Sequence, residues 1–116
     1  MKQILTQKLR DLSDRQQFRF GLRCEECGEE WTAKPVPFSK GKTEAVSEEK
    51  KLVYQVLFRK EGLQAREQAL EEAAHQFNFC PVCSRVVCNR CFVICEDLDM
   101  CAVCAGYLQE QGERVG

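Results

Sequence analysis

A small α+β fold is what this sequence predicts, on three observations. Eight of its nine cysteines fall in four Cys-x-x-Cys pairs. Two of those pairs are flanked by short segments in which apolar residues alternate, the period of a β-strand. Between the two lies a stretch of about thirty residues with helical periodicity. At 116 residues the chain has room for one ordinary domain.

The elements follow in order. Residues 1–17 read as an N-terminal helix with Ile4, Leu5, Leu9 and Leu12 along one side, leaving 18–116 as a single domain. Phe18, Phe20 and Leu22 alternate up to Cys24 and Cys27, and Trp31-Thr32-Ala33 makes a plausible return strand. Gly28 follows the second cysteine, where a knuckle turns sharply and positive φ is cheap for glycine. Pro35, Pro37, Ser39 and Gly41, interleaved with lysines, mark residues 34–46 as a loop. Ser47 is an N-cap followed by Glu48 and Glu49, which suit the positive end of a helix.

Helical periodicity then runs over 47–77, through Leu52, Val56, Leu63, Leu70, Ala74 and Phe77. Val56, Leu63, Leu70 and Phe77 are seven apart, the spacing of a coiled-coil seam. Such a helix would span about 45 Å, so the insertion either projects as an arm or folds back at Gly62 into a helical hairpin. Phe77 and Phe79 lead into Cys80 and Cys83, with Arg85-Val86-Val87 returning. The stretch Asp97 to Gly112 reads as a short helix with Asp99 as N-cap and Gly112 as stop. Cys101 and Cys104 then lie near its first turn, where thiolates are favoured. Glu113 to Gly116 reads as a loose tail.

The start, Met1 to Lys8, has no apolar core of a secretory signal, and no run of about 18 apolar residues could span a membrane. A cytoplasmic, reducing setting is therefore expected, in which paired cysteines ligate metal rather than form disulfides. Each Cys-x-x-Cys supplies half of a tetrahedral thiolate cage. Cys24, Cys27, Cys80, Cys83, Cys88, Cys91, Cys101 and Cys104 thus predict two zinc ions per chain. At about 10–16 kcal/mol per structural site, zinc compensates for the modest core of so small a fold. His75, the single histidine, is expected on an exposed helix surface. Cys95, beside Phe92, Val93 and Ile94, is expected to be buried rather than to ligate metal.

Two pairings remain open from spacing. A sequential one joins Cys24, Cys27, Cys80 and Cys83, and separately Cys88, Cys91, Cys101 and Cys104. A cross-brace joins Cys24 and Cys27 to Cys88 and Cys91, and Cys80 and Cys83 to Cys101 and Cys104. The run Cys80-x2-Cys83-x4-Cys88-x2-Cys91, followed by Cys101-x2-Cys104, resembles the FYVE and RING group of cross-braced, treble-clef zinc domains. That resemblance covers about 30 residues by ligand spacing and favours the cross-brace. FYVE domains have a glycine where Ser84 stands and a basic run where this chain has His75-Gln76-Phe77-Asn78-Phe79. RING ligases carry an aliphatic residue where it has Glu25-Glu26.

Residues 1–23 hold six basic and two acidic groups, and the rest of the chain is acidic on balance. The formal net charge is −1, and two zinc ions on eight thiolates move it to about −5. That disfavours nucleic acid as the main ligand. Four thiolates close a zinc site to substrate, and no catalytic constellation stands out. The expectation is therefore a non-enzymatic protein-interaction adaptor. Its protein partner would bind through helix 47–77 or the N-terminal helix, with self-association open. A RING-like role in protein modification and a nucleic-acid-binding zinc ribbon using Arg15, Arg19 and Arg23 are the alternatives.

Overall fold

The structure, a computed structural model, describes residues 1–96, 98–108 and 112–115. Its elements are α1 (Lys2–Lys8), β1 (Arg10–Asp11), β2 (Gln17–Phe18), β3 (Phe20–Arg23), β4 (Glu30–Thr32) and β5 (Val36–Pro37). Then come α2 (Glu48–Gln76), β6 (Phe77–Phe79), β7 (Val86–Cys88) and a 3-10 turn (Asn89–Cys91). The chain ends with β8 (Phe92–Cys95), β9 (Met100–Cys101), α3 (Ala102–Tyr107) and β10 (Gly112–Arg114). The strands form short antiparallel sheets, β1-β3-β4, β10-β8-β9, β2-β5 and β6-β7, of which β2, β3 and β6 pack against α2. No helix of the described residues is long and apolar enough to cross a membrane.

α2 is one continuous helix rather than a hairpin, and it forms for the reasons its sequence gives. The Ser47 side chain accepts from the Lys50 N–H at 3.2 Å, and Glu48 and Glu49 occupy the first turn. It ends where Phe77 turns extended and becomes β6. Gly62 continues the helix and lets Phe18 pack closely: an added Cβ would lie 3.2 Å from its ring, which would have to shift by a few tenths of an ångström. Farther along, Ala65, Ala69 and Ala73 recur every four residues and are buried, so small side chains let the sheets approach one face. With Leu5, Phe18, Phe20, Leu22, Leu70, Phe77, Val86 and Val87 they make the core.

The heptad row divides. Leu70 and Phe77 are buried, whereas Val56 and Leu63 are 67% and 61% exposed. α1 lies along the C-terminal half of α2, tied by Lys2 to Glu67 at 2.7 Å and by Arg66 to the Thr6 carbonyl at 2.9 Å. It is too short to reach farther, so α2 projects and the molecule measures 64 × 20 × 16 Å.

Three expectations need correction. The helix expected over 1–17 ends at Lys8, with Leu9 extended. Asp11 accepts from the Ser13 N–H at 2.9 Å, and Asp14 from Gln16 and Gln17 at 2.8 and 2.9 Å. These local turns compete with a helix, and Arg10–Asp11 pairs with β3 instead. The expected helix from Asp97 to Gly112 is shorter: α3 starts after Cys101, whose own sulfur accepts from the Cys104 N–H at 3.4 Å. Asp99 accepts from the Cys95 N–H at 3.1 Å, within the β8–β9 connection. Asp97 and residues 109–111 lie outside the described residues. Gly112 opens a strand rather than closing a helix, and Glu113 and Arg114 pair with Ile94 and Val93 instead of forming a loose tail.

Candidate metal centres

Both knuckles cap β-hairpins, as the alternation predicts. β3 and β4 flank Cys24–Gly28, and β6 and β7 flank Cys80–Ser84. In each, the first cysteine's carbonyl accepts from the N–H four residues on, Gly28 at 2.9 Å and Ser84 at 2.8 Å. The first cysteine's N–H in turn donates across the hairpin, to Glu29 and to Arg85, both at 2.9 Å. These bonds turn the first sulfur of each pair inward.

The structure brings the eight predicted ligands into two groups, Cys24, Cys27, Cys88 and Cys91, and Cys80, Cys83, Cys101 and Cys104. This is the cross-brace arrangement. All four sulfurs of each group lie within 4.8 Å of one another. Cys27 to Cys88 is 3.8 Å, Cys88 to Cys91 3.6 Å and Cys83 to Cys101 3.7 Å. A tetrahedral zinc ion with sulfurs at about 2.3 Å sets them roughly 3.8 Å apart. These separations are far beyond a disulfide bond. The two groups therefore fit two zinc ions per chain.

The electrostatics agree. Burial pushes the Cys24 thiol up, but backbone N–H groups of Cys27 and Cys88 donate to its sulfur and bring it down to about 7. In the other group burial raises Cys83, but Arg85 donates to it and lowers it to about 6. Burial above all, then the neighbouring hydrogen-bonding groups, hold Cys91 and Cys104 well above the ordinary thiol range. Four crowded sulfurs cannot all ionise by themselves. A divalent cation resolves the conflict, as zinc does for thiolate ligands.

Three residues that the sequence reading left without a site role lock the centres together. Arg85 donates through Nε to Cys83 Sγ at 3.3 Å and through Nη2 to Cys101 Sγ at 3.5 Å, on the second group. It also reaches the Glu25 carbonyl at 3.1 Å and Glu26 Oε1 at 3.3 Å, on the first knuckle. Glu26 Oε1 further accepts from the Val103 N–H at 3.0 Å, satisfying a donor at the start of α3. Glu25 Oε2 accepts from the Val86 N–H and from Lys8 Nζ, each at 2.5 Å. Both acids are thus engaged across the two knuckles. No local sequence pattern announces this clamp, because Arg85 and Glu26 lie 59 positions apart.

His75 is exposed, as expected, and Cys95 is 8% exposed in β8, outside both groups. Much of the basic N-terminal segment is engaged internally. Lys2, Lys8 and Arg10 pair with Glu67, Glu25 and Glu30, and Arg23 donates to the Gly28 carbonyl at 3.1 Å.

No protein-family model matches this chain, and no curated protein or solved structure was found to be similar to it. Its class rests on the fold and the donor sets: a small α+β module with two four-cysteine groups that fit zinc.

Proposed function

We propose that this chain is a non-enzymatic, cytoplasmic adaptor in which two zinc ions hold α2 out as a protein-binding arm. One observation carries this reading. Leu52, Val56 and Leu63 are 64%, 67% and 61% exposed on a helix whose other end is anchored in the core. At about 100° per residue they line one side of α2 with Leu70, which is buried in the core. The exposed row thus continues, beyond the core, a line of apolar positions that is buried at its other end. Exposed apolar stretches of this kind mark interaction surfaces, and helix-in-groove binding reads such a row. The internal engagement of Lys2, Lys8, Arg10 and Arg23 leaves a smaller basic patch for nucleic acid and supports a protein partner.

A photo-crosslinking residue placed at Val56 in cells tests this. The expected result is a discrete protein adduct that disappears when Leu52→Asp and Leu63→Asp are added. A nucleic-acid adduct, or no adduct, overturns the reading, and an adduct to a second copy would make the arm a self-association element.

A RING-like role in protein modification is the second reading, favoured by Val82, 45% exposed beside Pro81 on the second knuckle. Chemical-shift changes at Pro81 and Val82 on adding conjugating enzymes would support it.

A further inference from the structure

At the base of the arm, the loop 38–44 and the side of α2 enclose a groove of about 620 Å³, within the size range of built ligand sites. Its apolar part is fixed by aromatic packing. The Phe38 and Phe58 rings lie 5.1 Å apart at 89°, with Phe18 behind them at 5.9 and 4.9 Å. The loop is pinned to both neighbours. The Ser39 N–H and hydroxyl donate to the Glu61 carboxylate at 3.0 and 2.6 Å, and the Phe38 N–H to the Gln16 carbonyl at 2.8 Å. Gly41 presses so closely on Gln16 that an added Cβ would come within 2.8 Å of its carbonyl. A groove held this way needs little ordering to bind.

Its rim is cationic. Arg15, Lys40 and Arg59 reach it from three separate segments, with Glu44 the one acid among the lining residues. None of the three cations forms a salt bridge among the described residues. This contrasts with Lys2, Lys8 and Arg10. Three uncompensated cations around an apolar floor, on a chain of about −5 with zinc bound, call for a ligand with separated negative charges and an apolar group between them.

We infer that the groove binds a short acidic peptide segment of a partner protein. An aliphatic or aromatic side chain seats on Phe38 and Phe58, and carboxylates meet Arg15, Lys40 and Arg59. Gln55 and Thr43 add an amide and a hydroxyl suited to a peptide backbone. A nucleic acid fits less well, because base stacking needs a free aromatic face and Lys40 Nζ sits over the Tyr54 ring at 6.0 Å. The inference rests on the adaptor reading, since the peptide belongs to a protein partner, yet it uses a surface separate from the Leu52–Leu63 row.

The test selects a displayed library of random twelve-residue peptides on the full zinc-loaded chain. Winners are then measured against two variants, each first shown to carry two zinc ions and the wild-type circular dichroism spectrum. One reverses the rim, Arg15→Glu with Lys40→Glu and Arg59→Glu. The other makes the arm polar, Leu52→Asp with Val56→Asp and Leu63→Asp. The expected winners combine Asp or Glu with an apolar anchor, lose at least about tenfold in affinity on rim reversal, and keep their affinity on the polar arm. Winners that ignore the rim but need the arm overturn the groove and leave the adaptor reading standing. An absence of enriched peptides overturns the groove alone, because the arm is tested by crosslinking at Val56. A labelled single-stranded oligonucleotide that binds the groove more tightly than any winner would assign it to nucleic acid instead.

Discussion

The knuckle at Cys24–Gly28 and the knuckle at Cys80–Ser84 share a backbone plan and differ in what surrounds the sulfur. In the first, Gly28 takes the left-handed turn at φ +76°; in the second, Ser84 takes it at φ 62°. The first group receives a backbone donor from its partner segment, Cys88 N–H to Cys24 Sγ at 3.2 Å. The second receives a charged side chain, Arg85, on two sulfurs. One centre is thus knit by main chain and the other by a guanidinium, which is the stronger donor to a thiolate but the one a single substitution removes. The acids Glu25 and Glu26 sit in the first knuckle yet serve the β7 strand and α3, so the two centres are coupled.

The largest expected effect tests that coupling. β6, its knuckle and β7 run from Cys80 and Cys83 in one group to Cys88 in the other. Loss of either ion should therefore release a strand pair that the other needs. Chelation, or Cys24→Ser or Cys101→Ser, should each abolish the fold in one transition, since structural zinc supplies about 10–16 kcal/mol against a marginal core. NMR dispersion with metal counting checks this. A variant that keeps one fully folded centre after losing the other would show that they are independent.

Next in size is Arg85→Ala. Removing an outer partner of metal ligands typically costs about 10–100-fold in affinity, and the loss should fall on the Cys80 centre. The pH dependence should move with it. Arg85 holds the metal-free Cys83 thiol down to about 6, so protons compete less with the ion for this sulfur. Without Arg85 the thiol reprotonates at higher pH, and acid release of the second ion should shift upward. Cadmium NMR, with one resonance per centre, reads both effects; equal loss at both centres would argue against the assignment.

Glu25→Ala should cost less, about 1–2 kcal/mol, because it leaves the part-buried Val86 N–H without its acceptor. The Lys8 ion pair is partly exposed and adds little. Denaturant titration of the zinc-loaded protein checks the value. Glu25→Gln, which keeps an acceptor oxygen, should recover most of it.

The contrast between knuckles also shows what a sequence can disclose. The cysteine pairs, both hairpins and α2 were legible because each depends on residues close in the chain: a ligand spacing, a period of two, a serine cap. The expected 47–77 segment is helical over Glu48–Gln76. The clamp was not legible, since Arg85 and Glu26 meet across 59 positions, and no local pattern reports such a meeting. The N-terminal helix stops at Lys8, short of residue 17, for the opposite reason. Its apolar spacing was real, but Asp11 and Asp14 offered turns that outcompete helix, and β3 offered Arg10–Asp11 a strand partner. The pairing of ligands lay between these cases: spacing alone left two arrangements open, and the resemblance to cross-braced domains favoured the one that the folded chain adopts.

The smallest expected effect isolates the turn itself. An added Cβ at Gly28 would meet nothing closer than the Arg23 side chain at 3.7 Å, so Gly28→Ala changes backbone energy and little else. The left-handed region costs a residue with Cβ about 1–2 kcal/mol, less about 0.4–1 kcal/mol returned by a stiffer unfolded chain. Gly28→Ala should therefore destabilise by about 0.5–1 kcal/mol. Ser84→Gly runs the same exchange in reverse and should stabilise by a similar amount. Measured together in the zinc-loaded protein, the two should be near mirror images if the knuckles share one backbone plan. A Ser84→Gly variant that loses stability would mean that the Ser84 side chain contributes to the second centre in a way its backbone does not reveal.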